Sequence, residues 1–212
     1  MLLAFLRTCA VLCCMTLLSA CSVFGGPAAP EPDYSVVRKA EPFEIRDYPA
    51  LAVVAAPMED GSSSAFGRLF DYISGENAGE TKIAMTAPVL MSVEEGVEIA
   101  MTAPVLRSFG ADGTREMVFV LTKDFTVETA PRPTDPKLRI AEIPARRVAT
   151  IRFSGLFRDA AIAENTRLLQ AWMADQGLAP IGPPESAGYN PPWTLPPFRR
   201  NEVLIPIAAE AG

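Results

Sequence analysis

The sequence contains no histidine. Without an imidazole there is no Ser-His-Asp triad, no Cys-His nucleophile pair and no HExxH metal site. Cysteine is scarce as well: the four residues fall at positions 9, 13, 14 and 21. If that segment is removed in the cell, the folded part keeps no thiol beyond Cys21, which excludes a disulfide framework and a CxxC metal site. A surplus of positive charge is also missing. The net charge of -6 argues against nucleic acid as a partner, because phosphate binding needs a basic surface. What is present suits one domain. A chain of 212 residues, 49% hydrophobic and 21% charged, can bury a core without metals or cross-links.

The first 20 residues carry one base, Arg7, and no acid, and residues 9–20 are almost wholly apolar. That run is short for a membrane span, which needs about 20 apolar residues, and it fits the core of a secretory signal. Its end, Leu18-Ser19-Ala20-Cys21, resembles the bacterial lipobox, in which a small-residue cleavage site precedes a lipidated Cys. Cys21 is therefore the expected lipid anchor, and each buried methylene of its acyl chains would contribute about 0.8 kcal/mol to membrane attachment. Ser22 follows rather than Asp, which favours the periplasmic face of the outer membrane in a Gram-negative envelope. Residues 21–33, rich in Pro, Gly and Ala, read as a flexible tether. The folded domain is expected over 34–207, with 208–212 a short tail.

Residues 43–48 and 51–56 read as strands broken at Pro49, and the second run, LAVVAA, suits a buried strand. Asp60 to Ser64 supply a turn and a choice of helix caps. A helix is predicted from about 64 to 73, ending at Gly75. Phe66, Leu69, Phe70 and Ile73 recur at i, i+3, i+4 and i+7 and make one apolar face. Such a face either packs on a sheet or walls a site for a flat aromatic ligand. The strongest internal signal comes next. Residues 83–90, IAMTAPVL, recur identically at 99–106. With Glu94-Glu95-Gly96 between them, the two copies predict a hairpin of identical arms, Ile, Met, Ala and Val on one side and Ala, Thr, Pro and Leu on the other. Pro88 and Pro104 belong at an edge, a bulge or a strand end.

Further strands are expected at 116–122, 146–153 and 203–207, with a Pro-rich surface connection over 125–140. A second helix is predicted over 158–176, with Ala161, Leu168, Leu169 and Trp172 as its buried stripe. Two similar halves, each one helix on antiparallel strands, imply an α+β domain with a strongly curved or barrel-like sheet and helices on one side.

The segments Lys82-Ile83-Ala84-Met85-Thr86-Ala87-Pro88-Val89 and Gly188-Tyr189-Asn190-Pro191-Pro192-Trp193, followed by Arg199-Arg200-Asn201-Glu202-Val203, resemble the SOUL family of haem-binding proteins. Phe43-Glu44-Ile45-Arg46 is similar to the family's first strand, and the resemblance spans about 34 to 207. It implies a distorted antiparallel β-barrel with two flanking helices in pseudo-twofold repeat, similar also to the effector-binding domains of bacterial regulators. It implies non-covalent binding of haem or another tetrapyrrole in a groove beside the first helix, with no catalytic residues. The macrocycle would rest on Phe66, Leu69, Phe70 and Ile73. Some members use an axial His, which this chain lacks, so iron could be met only by Met, Tyr, Lys or water, with Tyr72, Met85 and Met101 the candidates near the groove. Arg68, Lys82 and Arg107 lie nearest in sequence to serve the propionates, in charge-assisted bonds of about 1.5–3 kcal/mol when shielded. Against these roles, a strand Met is often core filler, and Arg68 can pair with Asp71 at i+3.

Two other functions are open. One is an envelope scaffold that binds protein partners and no tetrapyrrole. The other is a hydrolase using a pocket carboxylate, for which Glu76, Glu80 and Glu202 are the available acids. A buried, isolated Glu lining a cavity would favour the hydrolase.

Overall fold

The computed structural model describes residues 29–78, 96–110 and 113–209. The signal-like segment, Cys21 and the first copy of the repeat lie outside them. Among the described residues eleven strands and two α-helices are formed: β1 (Ser35–Ala40), β2 (Phe43–Tyr48), β3 (Leu51–Pro57), α1 (Ser62–Ile73), β4 (Asn77–Ala78), β5 (Val105–Phe109), β6 (Arg115–Val120), β7 (Arg132–Pro133), β8 (Arg139–Ile143), β9 (Arg146–Phe153), α2 (Asp159–Asp175), β10 (Glu185–Gly188) and β11 (Asn201–Ile207). Nine strands make one antiparallel sheet in the order β1-β2-β9-β11-β10-β5-β6-β3-β8, and β4 pairs separately with β7. The domain is α+β as the sequence implies. The sheet, however, is open, with β1 and β8 as its outer strands, so it is a curved sheet and not a closed barrel.

The strand order exposes the pseudo-twofold. The first half is β2-β3-α1-β5-β6 and the second is β8-β9-α2-β10-β11, and they meet where β5 pairs with β10. Each half gives its leading strand to the other: β2 pairs with β9, and β8 with β3. Strand periodicity then sorts the side chains. On one face Val54, Ala56, Met117 and Phe119 pack under α1 through Leu69, Tyr72 and Ile73. On that same face Ile45, Ala149, Ile151, Val203 and Ile205 pack under α2 through Leu169 and Met173. The opposite face carries a third cluster, with Tyr48, Val53, Val118, Val148 and Leu204, against which Ala29 and Tyr34 pack.

Several local expectations change. Residues 125–140 are not solely a loop, since they include β7 and lead into β8. Leu168 is exposed, and Trp172 covers the sheet by stacking on Phe43 at 4.9 Å and 4°. The second copy of the repeat is not a hairpin arm. Only Val105 and Leu106 join β5, while residues 99–104 pair with no strand. Ile99 and Thr102 are both buried and Met101 is exposed, so the predicted two-sided alternation fails. The cause is where the polar groups find partners. The Ala103 amide donates to Pro30 and the Thr102 hydroxyl to the Val120 carbonyl, and Pro104, which cannot donate, marks the start of the ladder.

The open face is closed by a buried ionic knot. The Glu202 carboxylate, fully buried, accepts from Arg46 Nη1 (2.8 Å) and Nη2 (3.1 Å), from Arg200 Nε (2.9 Å) and from the Tyr189 hydroxyl (2.6 Å). Arg46 also bonds Glu44 at 2.7 Å, and Arg200 reaches Glu31 at 3.0 Å. Arg46 lies 4.5 Å from the Tyr34 ring centre and Arg200 3.8 Å from that of Tyr189. Desolvation would raise the Glu202 pKa, but the bonds and charges of Arg46 and Arg200 outweigh it and hold the carboxyl below its ordinary range. Removing one partner of such a site leaves an uncompensated buried charge. Glu202→Gln should therefore lower stability by about 3–5 kcal/mol in urea unfolding at neutral pH. The wild-type contribution is fully present above the ordinary carboxylate value of 4.5 and is lost as pH falls through the depressed folded value, so the variant should show a shallower acid limb. Equal acid limbs would show that Glu202 is not the group titrating.

Candidate functional site

Helix α1 follows a turn in which Gly61, not a side chain, occupies the cap position. Its twelve residues put Leu69, Tyr72 and Ile73 into the core, while Phe66 and Phe70, one turn apart, stay 37% and 47% exposed. The two rings are near-parallel, at 14° with centres 6.1 Å apart, and Phe66 also meets Phe119 edge-on at 5.4 Å. Of the four residues expected to carry a macrocycle, two therefore form an exposed aromatic pair. Leu69 and Ile73 instead fix the helix from below.

The Tyr72 hydroxyl donates to the Pro131 carbonyl at 2.8 Å, and burial pushes its pKa up to about 12, so it is a structural group inside the core. Arg68 pairs with Asp135 at 2.7 Å and Asp60 at 3.3 Å, rather than with Asp71. It ties α1 to the segment before β8. Arg107 lies against α2, bonded to Asp159 at 3.3 Å and 4.7 Å from the centre of the Phe157 ring. Met101 is 38% exposed; Met85 and Lys82 lie outside the described residues.

The stretch leading to Met101 is anchored to the C-terminal end of α1. Asn77 is buried, and its amide donates to the Tyr72 and Val97 carbonyls while its oxygen accepts from the Val97 amide, each at 2.8–2.9 Å. The Ile99 amide donates to the Ile73 carbonyl at 2.7 Å. Gly75 has φ of +113°, and a Cβ on Gly96 would stand 1.5 Å from the Gly75 oxygen, so Gly96 serves this close approach and not only a turn. The local sequence around Asn77 gives no sign of this role.

Of the hydrolase acids, Glu80 lies outside the described residues. Glu202 is buried but not isolated, since four donors occupy its carboxylate. The arginines around it explain the RRNE segment. Arg200 and Glu202 are in the knot, Asn201 donates to the Gly155 carbonyl at 3.1 Å, and Arg199 donates to the Thr194 and Pro192 carbonyls.

The sequence matches the SOUL heme-binding protein family over residues 29–206. The chain belongs to the SOUL family. A search of curated protein sequences gives no significant match. Among solved structures, this SOUL chain is similar in fold to the EcmrR C-terminal domain, at 12% identity and a TM-score of 0.53, covering 82% of this chain and 98% of that one. It is similar also to an uncharacterized conserved protein from Listeria innocua, at 14% identity and a TM-score of 0.50, covering 78% and 92%. A hydrolase from Listeria innocua is more distant, at 13% identity and a TM-score of 0.49, covering 85% and 94%. These likenesses speak to the fold alone. The match to the family supports haem or tetrapyrrole binding as the general activity.

The division of α1 into an inner and an outer set is open to test. Leu69→Ala should cost about 2–5 kcal/mol of unfolding free energy, and Phe70→Ser no more than about 1 kcal/mol. A large loss for Phe70→Ser would place that ring in the packed core.

Proposed function

We propose that this SOUL-family protein binds haem or a related tetrapyrrole non-covalently on the outer face of α1, without a histidine ligand and without catalysing a reaction. The exposed, near-parallel pair of Phe66 and Phe70 carries this reading. Two such rings side by side, half in water on a helix otherwise well packed, offer an apolar surface on which a flat partner can stack. The residues fit the group: the two phenylalanines supply dispersion and water exclusion, and Arg68 stands on the same helix as a cation for a propionate. Its guanidinium is already held by Asp135 and Asp60, so it would be shared rather than recruited afresh. Bound haem would bring an iron centre, for which Met101 is an exposed sulfur among the described residues. Leu69 and Ile73 serve the proposed site by holding the helix in place; Lys82 and Met85, the other expected site residues, lie outside the described residues.

The protein is proposed to work at the cell envelope, anchored through Cys21 at the lipobox-like Leu18-Ser19-Ala20-Cys21 and facing the periplasm from the outer membrane. The non-catalytic reading draws support from Glu202: a carboxylate that accepts four hydrogen bonds and is held below its ordinary pKa has no free lone pair with which to act as a base.

Titration with hemin tests the proposal. The wild type should saturate at micromolar ligand with a Soret band lacking the signature of imidazole ligation. Phe66→Asp and Phe70→Asp, both on exposed positions, should each weaken binding at least tenfold while leaving the thermal transition in place. Unchanged affinity in both variants would move the site away from α1.

A further inference from the structure

On the face of the sheet opposite α1 and α2, a cleft of about 520 Å³ opens above the ionic knot. Its size is that of small-molecule sites. Cations dominate its described lining: Lys39, Arg46, Arg152, Arg199 and Arg200, against Glu41 and Glu44. In a chain of net charge -6 this is a local reversal of sign. Two of those cations form no ion pair with a carboxylate among the described residues. Arg199 spends its bonds on backbone carbonyls, which leave its charge uncompensated. Arg152 is exposed and has no side-chain hydrogen bond or ion pair among the described residues.

The acid directly across from Arg152 is on the neighbouring strand. This cross-strand partner is Glu202, on the same face of the sheet. A carboxylate has about four lone-pair sites, and those of Glu202 are filled by Arg46, Arg200 and Tyr189. The knot thus withholds that carboxylate from Arg152, and Glu41, which also feels the charge of Arg152, is bonded to Lys39 at 2.9 Å. Between these charges the wall also carries the rings of Tyr34, Pro42 and Phe198.

We propose that this cleft is a second ligand site, for an amphipathic carboxylate whose acid group pairs with Arg152 and whose ring packs against the aromatic wall. Guanidinium favours this ligand class because its fork matches a carboxylate bidentately. The site is independent of the α1 face and stands or falls separately from it.

Equilibrium dialysis with 1-naphthoate tests it, using the full-length protein in nonionic detergent against detergent-only blanks. Saturable binding is expected, weakened at least tenfold in Arg152→Ala and at least tenfold for the neutral 1-naphthamide, but unchanged in Phe70→Asp. Arg152→Gln, which keeps the polar stem, should behave as Arg152→Ala, with melting temperatures equal to wild type in both. Equal binding by the arginine variants, or equal binding of the amide, would overturn the proposal. Loss of naphthoate binding in Phe70→Asp would assign the probe to the α1 face and overturn it too.

Discussion

The Glu202 carboxylate sits where four parts of the chain converge. Arg46 comes from β2, Tyr189 from the turn after β10, Arg200 from the loop before β11, and Arg200 in turn holds Glu31 of the N-terminal segment. A buried charge is tolerated only when its partners are fixed, and each fixed partner commits its own segment to one place. The knot therefore sets the path of the N-terminal segment across the sheet, where Tyr34 stacks over Arg46 and packs near Tyr48 at 5.2 Å. It also withholds the Glu202 carboxylate from Arg152 across the strand pair. One interaction thereby stabilises the open face and gives its cleft a positive character.

The two halves share a plan and differ in how they cover their helices. In the second half Trp172 lies flat on Phe43, so the large aromatic of α2 is used internally. In the first half Phe66 and Phe70 lean outward, with only an edge contact from Phe66 to Phe119. The exchange of leading strands makes neither half able to complete its sheet alone. This is a sound base for a surface site, because the helix that bears it is held by long-range pairing rather than by its own short loops.

Much of this was legible before any coordinates. The runs at 43–48, 51–56 and 146–153 read as strands and are β2, β3 and β9, though the pairing of β2 with β9 and the place of β3 between β6 and β8 were not legible, and both helices follow from their apolar spacing. The strands left unread are β1, β4, β7, β8 and β10. They are short, polar or rich in small residues; β1, β8 and β10 become strands because an edge or a gap in the sheet receives them, and β4 and β7 because they pair with each other. The repeat misled for a related reason. Two identical octapeptides suggest identical conformations, yet the copy at 99–106 is shaped by Pro30, Ile73 and Val120, which are far away in sequence.

From the sequence alone came the family, the α+β class, the lack of any imidazole chemistry and the aromatic stripe on the first helix. Those depend on residue identity and local spacing, which a linear string contains in full. Which two of the four stripe residues face water was decided by packing. So was the conversion of Glu202 from a candidate base into a saturated anchor that is withheld from Arg152 beside it. Each of these depends on pairings such as Arg46 with Glu202, 156 residues apart, and no local pattern encodes a partner at that distance.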